Sequence, residues 1–129
     1  MERSRASPEY GTSPPMSPTL TLIVPVKDEE DAIAPFVARV APILDGLFPD
    51  AGTDAEWEIL FVDDGSEDGT LAAILQAHGR DRRVRAVSLS RNFGKEAALT
   101  AGLDHASGRA VIPIDVDLQD PPELIGAML

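Results

Sequence analysis

The sequence contains no cysteine. That excludes a disulfide framework, a thiolate nucleophile and a thiolate metal site, and it agrees with a reducing compartment such as the cytosol. Any metal would have to be held mainly by oxygen. Positive charge is scarce as well: 11 Lys and Arg stand against 22 Asp and Glu, giving a net charge of −11 and a pI near 4.4. Such a chain repels phosphate backbones, so no nucleic-acid partner is expected. Long apolar runs are missing too. The longest, such as Leu20 to Val26, fall far short of the roughly 20 residues of a membrane-spanning helix, and the first residues show no basic-then-apolar signal pattern.

What remains suffices for one modest domain of 13.7 kDa, 43% hydrophobic with a mean hydropathy of −0.05. Residues 1–19 hold four Pro and four Ser with almost no aliphatic side chains. That composition cannot bury enough surface to offset its ordering entropy, and we expect a disordered leader. Its charges cancel (Glu2 and Glu9 against Arg3 and Arg5), so the acidity belongs to residues 20–129.

From Leu20 onward, short β-branched runs alternate with helical spacing. LTLIVPV (20–26), WEILFVDD (57–64), VRAVSLS (84–90) and RAVIPIDVD (109–117) predict four strands. Ile33, Phe36, Val37, Val40 and Leu44 predict a first helix capped by Asp31, tolerating Pro35 and kinked or ended by Pro42. Leu71, Ile74 and Leu75 predict a second, capped by Ser66. The Ala-rich stretch Ala97 to Ala106 predicts a third, its small side chains allowing close approach to the sheet. The Pro pair at 121 and 122 can open a last helix. Four strand-then-helix units imply an α/β fold, a Rossmann-like parallel sheet with helices on both faces. Pro113 counts against a regular fourth strand, because it removes a ladder donor, and a bulge or an unpaired position is expected there.

In such sheets ligands bind outside the carboxyl ends of the strands, where strand order reverses. The turn after the first strand has neither G-x-G-x-x-G nor G-x-x-x-x-G-K-[ST], the backbone cradles for pyrophosphate. Phosphate charge would have to be neutralised otherwise, and Asp115 and Asp117 offer two carboxylates around one intervening residue. In an extended segment they stand roughly 6.6 Å apart on one face, suited to an oxygen-preferring cation, Mg²⁺ or Mn²⁺. The same pair could simply be a solvated loop. Of Asp63 and Asp64, one could cap the helix near Ser66 and the other accept hydrogen bonds from a ribose or base. Arg91 and Lys95 could meet a diphosphate or an anionic acceptor, or offset nearby acids. Glu29, Glu30 and Asp31 read as helix N-terminal charge, with a nucleotide role kept for Glu29. His78 and His105 have no metal-spaced partners and read as helix-surface residues. Trp57 is expected to pack at the start of its strand.

IVPVKDEED (23–31), ILFVDDGSEDGT (59–70), LSRNFGKEAALTAG (89–102) and IPIDVDLQDPPELI (112–125) together resemble the nucleotide-binding half of family 2 glycosyltransferases with the GT-A fold. The last two segments look most like the branch that transfers a sugar from a UDP- or GDP-sugar to a polyprenyl phosphate, the dolichol-phosphate mannosyltransferase and bactoprenol glucosyltransferase type. The resemblance implies that Pro25, Val26 and Glu29 line a nucleoside pocket and that Asp63 and Asp64 contact base or ribose. Lys95 would lie near the nucleotide or its phosphates, and Asp115, Asp117 and Gln119 would hold a metal bridging the diphosphate; Arg91, from its own loop position, is counted with the nucleotide-sugar-binding residues. It also implies inversion at the anomeric carbon. Two departures stand out: Asp28 replaces the family's usual Asn, beside Lys27, which leaves uracil or guanine open, and Val116 replaces a small residue. Family members continue past D-P-P-E-L-I with sugar- and acceptor-binding segments, a catalytic carboxylate and often membrane helices. Residues 20–129 are therefore expected to be a truncated donor-binding part, inactive alone, with the catalytic base beyond Leu129. The full-length protein is expected in the cytoplasm or at the cytoplasmic face of a membrane. Two other readings compete: an aspartyl phosphatase-like hydrolase, whose D-x-D should follow an N-terminal strand, and a non-catalytic nucleotide- or Mg²⁺-binding module.

Overall fold

The computed structural model describes residues 18–49, 56–117 and 125–128. Four parallel strands, β1 (Leu20–Val26), β2 (Trp57–Asp63), β3 (Val84–Ser88) and β4 (Ala110–Pro113), form one sheet in the order β3-β2-β1-β4. The order reverses between β1 and β4. Helices α1 (Glu30–Leu47), α2 (Thr70–Arg80) and α3 (Lys95–His105) connect the strands, and a short α4 spans Ile125–Met128.

Period-two alternation in the strands divides the core between two faces. Leu20, Leu22, Val24 and Val26 of β1 meet Ile33, Phe36, Val40 and Leu44 of α1 on one face, together with Ile59, Phe61 and Ile74. Phe36 and Phe61 pack edge to face, with ring centroids 5.7 Å apart. On the other face Ile23 and Val62 meet Ala98 of α3. The small residues of α3 allow its close approach: a Cβ at Gly102 would lie 2.5 Å from Ile23 Cγ2. No helix among the described residues is long and apolar enough to cross a membrane.

Several local expectations are corrected. Helix α1 starts one residue before Asp31, after Glu29, and runs through Pro42 to Leu47. Pro35 and Pro42 both lie on its exposed side, so the carbonyls they leave without an intrahelical donor face water, while Val40 and Leu44 anchor the opposite side. Ser66 does not cap α2, which begins at Thr70, and Leu75 is exposed; Thr70 and Ile74 are the buried positions. Strand β4 stops at Pro113, on the outer strand of the described sheet, where the missing N–H costs no bond to β1; the next donor, Ile114 N–H, bonds Ile23 O at 2.9 Å. Order begins before Leu20, since Pro18 and Thr19 carbonyls accept from Arg109 and Ala110. Residues 1–17 of the expected leader, and the Pro pair at 121 and 122, lie outside the described residues.

Candidate functional site

The carboxyl ends of β1 and β4 flank an open cleft of about 460 Å³ at the point where strand order reverses. Pro25, Val26, Lys27 and Glu29 come from the end of β1, Asp115, Val116 and Asp117 from the turn after β4, and Asn92, Gly94 and Lys95 from the start of α3; Asp64 completes the wall. The two aspartates are not on an extended strand as the spacing suggested. They sit in a turn, with Val116 between them buried to 6% exposure in the core, and both line the cleft.

Lys95 reaches across to them. Its Nζ lies 2.7 Å from Asp115 Oδ1, although both side chains are substantially exposed (62% and 45%). The hydrogen bond to Asp115 and the charges of Asp115, Asp117 and Glu29 hold its ammonium above the usual lysine range. The acids of the cleft therefore already attract a cation to this position.

Asp63 and Asp64 are both nearly buried and both serve the loops. Asp63 Oδ1 accepts from Ser66 N–H at 3.1 Å, closing the turn that follows β2. Asp64 holds the next loop: its two carboxylate oxygens accept from Phe93 N–H at 2.8 Å and Gly94 N–H at 3.0 Å. Gly65, at φ +72°, lies against this loop with no room for a side chain, since a Cβ would fall 2.3 Å from the Arg91 carbonyl carbon. Gly94, at φ +103°, then turns the chain into α3, whose first residue is Lys95.

A second latch joins the turns after β1 and β2. Asp28, in the left-handed region at φ 54°, donates its N–H to Ser66 Oγ at 2.8 Å and accepts from Glu67 N–H at 2.7 Å. Lys27 Nζ lies 2.6 Å from Asp28 Oδ2. These contacts, first among them the bond to Lys27, hold the Asp28 carboxyl below its ordinary range. Glu29 N–H donates to Thr70 Oγ1 at 2.8 Å, and its carboxylate accepts from Lys27 N–H at 3.1 Å. Glu30 Oε1 accepts from Gly69 N–H at 2.7 Å. The latch escaped the sequence reading, although an acid in the place of Asn directly after a buried strand marked the position.

Of the expected site residues, Pro25, Val26, Glu29, Asp64, Lys95, Asp115 and Asp117 share the cleft. Asp63 and Arg91 do not. They line an adjoining hollow at the ends of β2 and β3, with Arg91 stacked over Phe93 at 4.3 Å. Gln119 lies outside the described residues. The His78 ring bonds the Val84 carbonyl and the His105 ring the Ala101 carbonyl, both local contacts. Among the described residues no three His, Asp or Glu side chains gather as a preformed metal cage. Two carboxylates with the remaining positions open nonetheless suit Mg²⁺ or Mn²⁺, which commonly take one or two protein carboxylates, water and substrate phosphates. The ammonium already drawn to Asp115 points to the same preference for positive charge.

Residues 21–129 match the family model described as Glycosyl transferase family 2. The bactoprenol glucosyl transferase of Shigella phage SfV is 52% identical over 106 residues, covering 82% of this chain and 33% of that protein. The dodecaprenyl-phosphate galacturonate synthase of Rhizobium johnstonii is 40% identical over 129 residues, covering 98% of this chain and 36% of its own length. The chain thus spans about a third of these curated relatives. Among solved structures, glucosyl-3-phosphoglycerate synthase from Mycobacterium tuberculosis with Mn²⁺, UDP and glucosyl-3-phosphoglycerate is similar over 83% of this chain and 36% of its own (28% identity, TM-score 0.59). A Pyrobaculum calidifontis mannosyltransferase solved with GDP-Man and Mn²⁺ shares the fold at 23% identity and TM-score 0.55, covering 88% of this chain and 36% of its own.

Proposed function

The chain belongs to glycosyl transferase family 2, and from that premise we propose that it forms the nucleotide-sugar site of an enzyme that transfers a hexose from a UDP- or GDP-sugar to a polyprenyl phosphate. Transfer inverts the anomeric carbon and uses Mg²⁺ or Mn²⁺. The observation that carries this reading is the meeting of Asp115 and Asp117 with Pro25, Val26, Glu29 and Lys95 in one cleft at the reversal of strand order. Two of the relatives supply the acceptor class, since their names specify bactoprenol and dodecaprenyl phosphate.

Each residue then has a task set by its position. Pro25, Val26 and Glu29 border the nucleoside, and Asp64 offers its remaining lone pairs to base or ribose while holding the loop that carries Lys95. Asp63 and Arg91 could reach the nucleotide only from the adjoining hollow. Lys95 faces the diphosphate. Asp115 and Asp117, with Gln119, hold the divalent ion. A bound Mg²⁺ or Mn²⁺ supplies electrostatic stabilisation of the leaving nucleoside diphosphate as the anomeric carbon becomes oxocarbenium-like. To this chain, a third of its relatives' length, we assign donor binding rather than turnover. The whole protein would act in the cytoplasm or at the cytoplasmic face of a membrane.

The test is calorimetric titration of UDP and GDP, each with and without Mn²⁺, into the chain and its Asp117→Ala variant. One of the two nucleotides should bind in a Mn²⁺-dependent manner that the substitution abolishes. Binding indifferent to both metal and substitution would remove the metal bridge. Sugar transfer to a polyprenyl phosphate by residues 1–129 alone would overturn the assignment of donor binding without turnover.

A further inference from the structure

We propose that Lys95 is an exchangeable counter-ion: its ammonium holds the cation position at Asp115 while no donor is bound, and moves to the donor's phosphates when a divalent ion takes that position. The proposal rests on the donor-site reading and adds a residue whose effects on metal and on nucleotide have opposite signs.

Three features carry it. The ammonium is in direct contact with one of the two carboxylates assigned to the metal, at 2.7 Å. The root of Lys95 is fixed whereas its side chain lies largely in solvent. The two residues before it, Phe93 and Gly94, are hydrogen-bonded through their N–H groups to the nearly buried Asp64, while the side chain itself is 62% exposed. Finally, the residue is lysine, a compact charge on a flexible four-carbon stem that can exchange partners without the planar, two-point pairing that holds arginine in place.

The electrostatics follow from these positions. Asp115, Asp117 and Glu29 line one cleft, so without a ligand the ammonium relieves the repulsion among them. A divalent ion and an ammonium cannot both sit against the Asp115 carboxylate without strong mutual repulsion. Metal alone must therefore displace Lys95. A nucleoside diphosphate brings negative charge to the same cleft and gives the displaced ammonium a new partner. Metal and nucleotide then help each other bind, and part of that coupling runs through one side chain.

The experiment measures Mn²⁺ binding alone, by the loss of the free-ion electron paramagnetic resonance signal, and then UDP and GDP binding at saturating Mn²⁺ by calorimetry. It compares the wild-type chain with Lys95→Met and Lys95→Arg. Since the Lys95 side chain is exposed, both variants should melt within a few degrees of wild type. Lys95→Met should bind Mn²⁺ alone about 5- to 10-fold more tightly, because a positive charge next to the ligand is gone. The same variant should bind the nucleotide with Mn²⁺ about tenfold more weakly, having lost a charge-assisted contact to phosphate. Lys95→Arg, which keeps the charge, should bind Mn²⁺ within about twofold of wild type. Unchanged or weaker Mn²⁺ binding by Lys95→Met would overturn the proposal. Failure of the donor-site reading looks different: neither nucleotide would bind wild type at any Mn²⁺ concentration, while the comparison of Mn²⁺ affinities still decides the counter-ion.

Discussion

Glu58 at the amino end of the sheet and Asp115 at the carboxyl end use their carboxylates in opposite ways. At the amino end Glu58 is 5% exposed and fully engaged: it accepts from the Thr21 hydroxyl, from Arg85 at 2.7 Å and from Ser107 N–H at 2.8 Å. Gly108 N–H closes the network onto Thr21 Oγ1 at 2.8 Å. Beside it, Asp45 accepts from Trp57 Nε1 at 3.1 Å and from Arg83, whose guanidinium lies 3.9 Å over the indole ring. At the carboxyl end Asp115 is 45% exposed on its side chain and meets a lysine that is more exposed still. Glu58 and Asp45 at the first end are held by protein donors, as Asp63 and Asp64 are at the second, where they fix the loops. Asp115, paired with one exposed lysine, retains coordination capacity, and that is what a ligand requires.

This contrast can be broken by substitutions that act at one end only. The largest loss of stability is expected from Glu58→Ala, about 2 to 4 kcal/mol in urea unfolding, because the buried Thr21 hydroxyl loses its acceptor, the Ser107 N–H loses its partner and Arg85 loses its carboxylate. Nucleotide affinity per folded molecule should be unchanged. Gly102→Ala is expected to cost about 1 to 2 kcal/mol. The new methyl meets Ile23 at 2.5 Å, and overpacking outweighs the gain in helix propensity. Since α3 carries Lys95, it is also the variant expected to affect both ends, with weaker nucleotide binding in the same calorimetric assay. Asp115→Asn should change stability by less than about 1 kcal/mol, as expected for an exposed ion pair, yet abolish Mn²⁺-dependent nucleotide binding.

The smallest effect is a pH dependence at the amino end. Hydrogen bonds from Arg83 hold the Asp81 carboxyl below its ordinary range. The stability it contributes is complete above the unfolded carboxylate value and is lost as pH falls through the lowered folded value. Asp81→Asn should therefore lower stability slightly at neutral pH, by about 0.5 kcal/mol or less after screening by solvent. It should also make the thermal midpoint less sensitive to acid below the unfolded value. An acid-side slope equal to that of wild type would remove Asp81 from the account.

The sheet was legible in the sequence because each buried strand is a short β-branched run flanked by polar turns, and burial on both faces of β1 leaves no alternative for Leu20 to Val26. The cleft was legible because polar residues gather at the ends of those runs. Less legible were effects that depend on a distant partner. Nothing near Pro42 in sequence shows that its free carbonyl partner would face water. Nothing near Asp64 shows that its oxygens would be taken by amides almost thirty residues later. Ser66 looked like a cap because it precedes a helix, but the N-cap position falls on Gly69, which has no side chain, and Asp68 accepts from the first helical N–H, that of Thr70, at 2.9 Å. Glu58 was hidden inside an apolar run, and only the tertiary fold reveals the donors that make its burial tolerable.

The bonds from Phe93 and Gly94 to Asp64 leave a natural reporter in the molecule. Both amides lie outside regular secondary structure yet donate to a nearly buried carboxylate, so their protons should resonate downfield and exchange with deuterium far more slowly than those of the neighbouring loop. A ¹⁵N-labelled sample would follow the mouth of the cleft at two backbone positions during any titration, with no probe attached and no side chain altered.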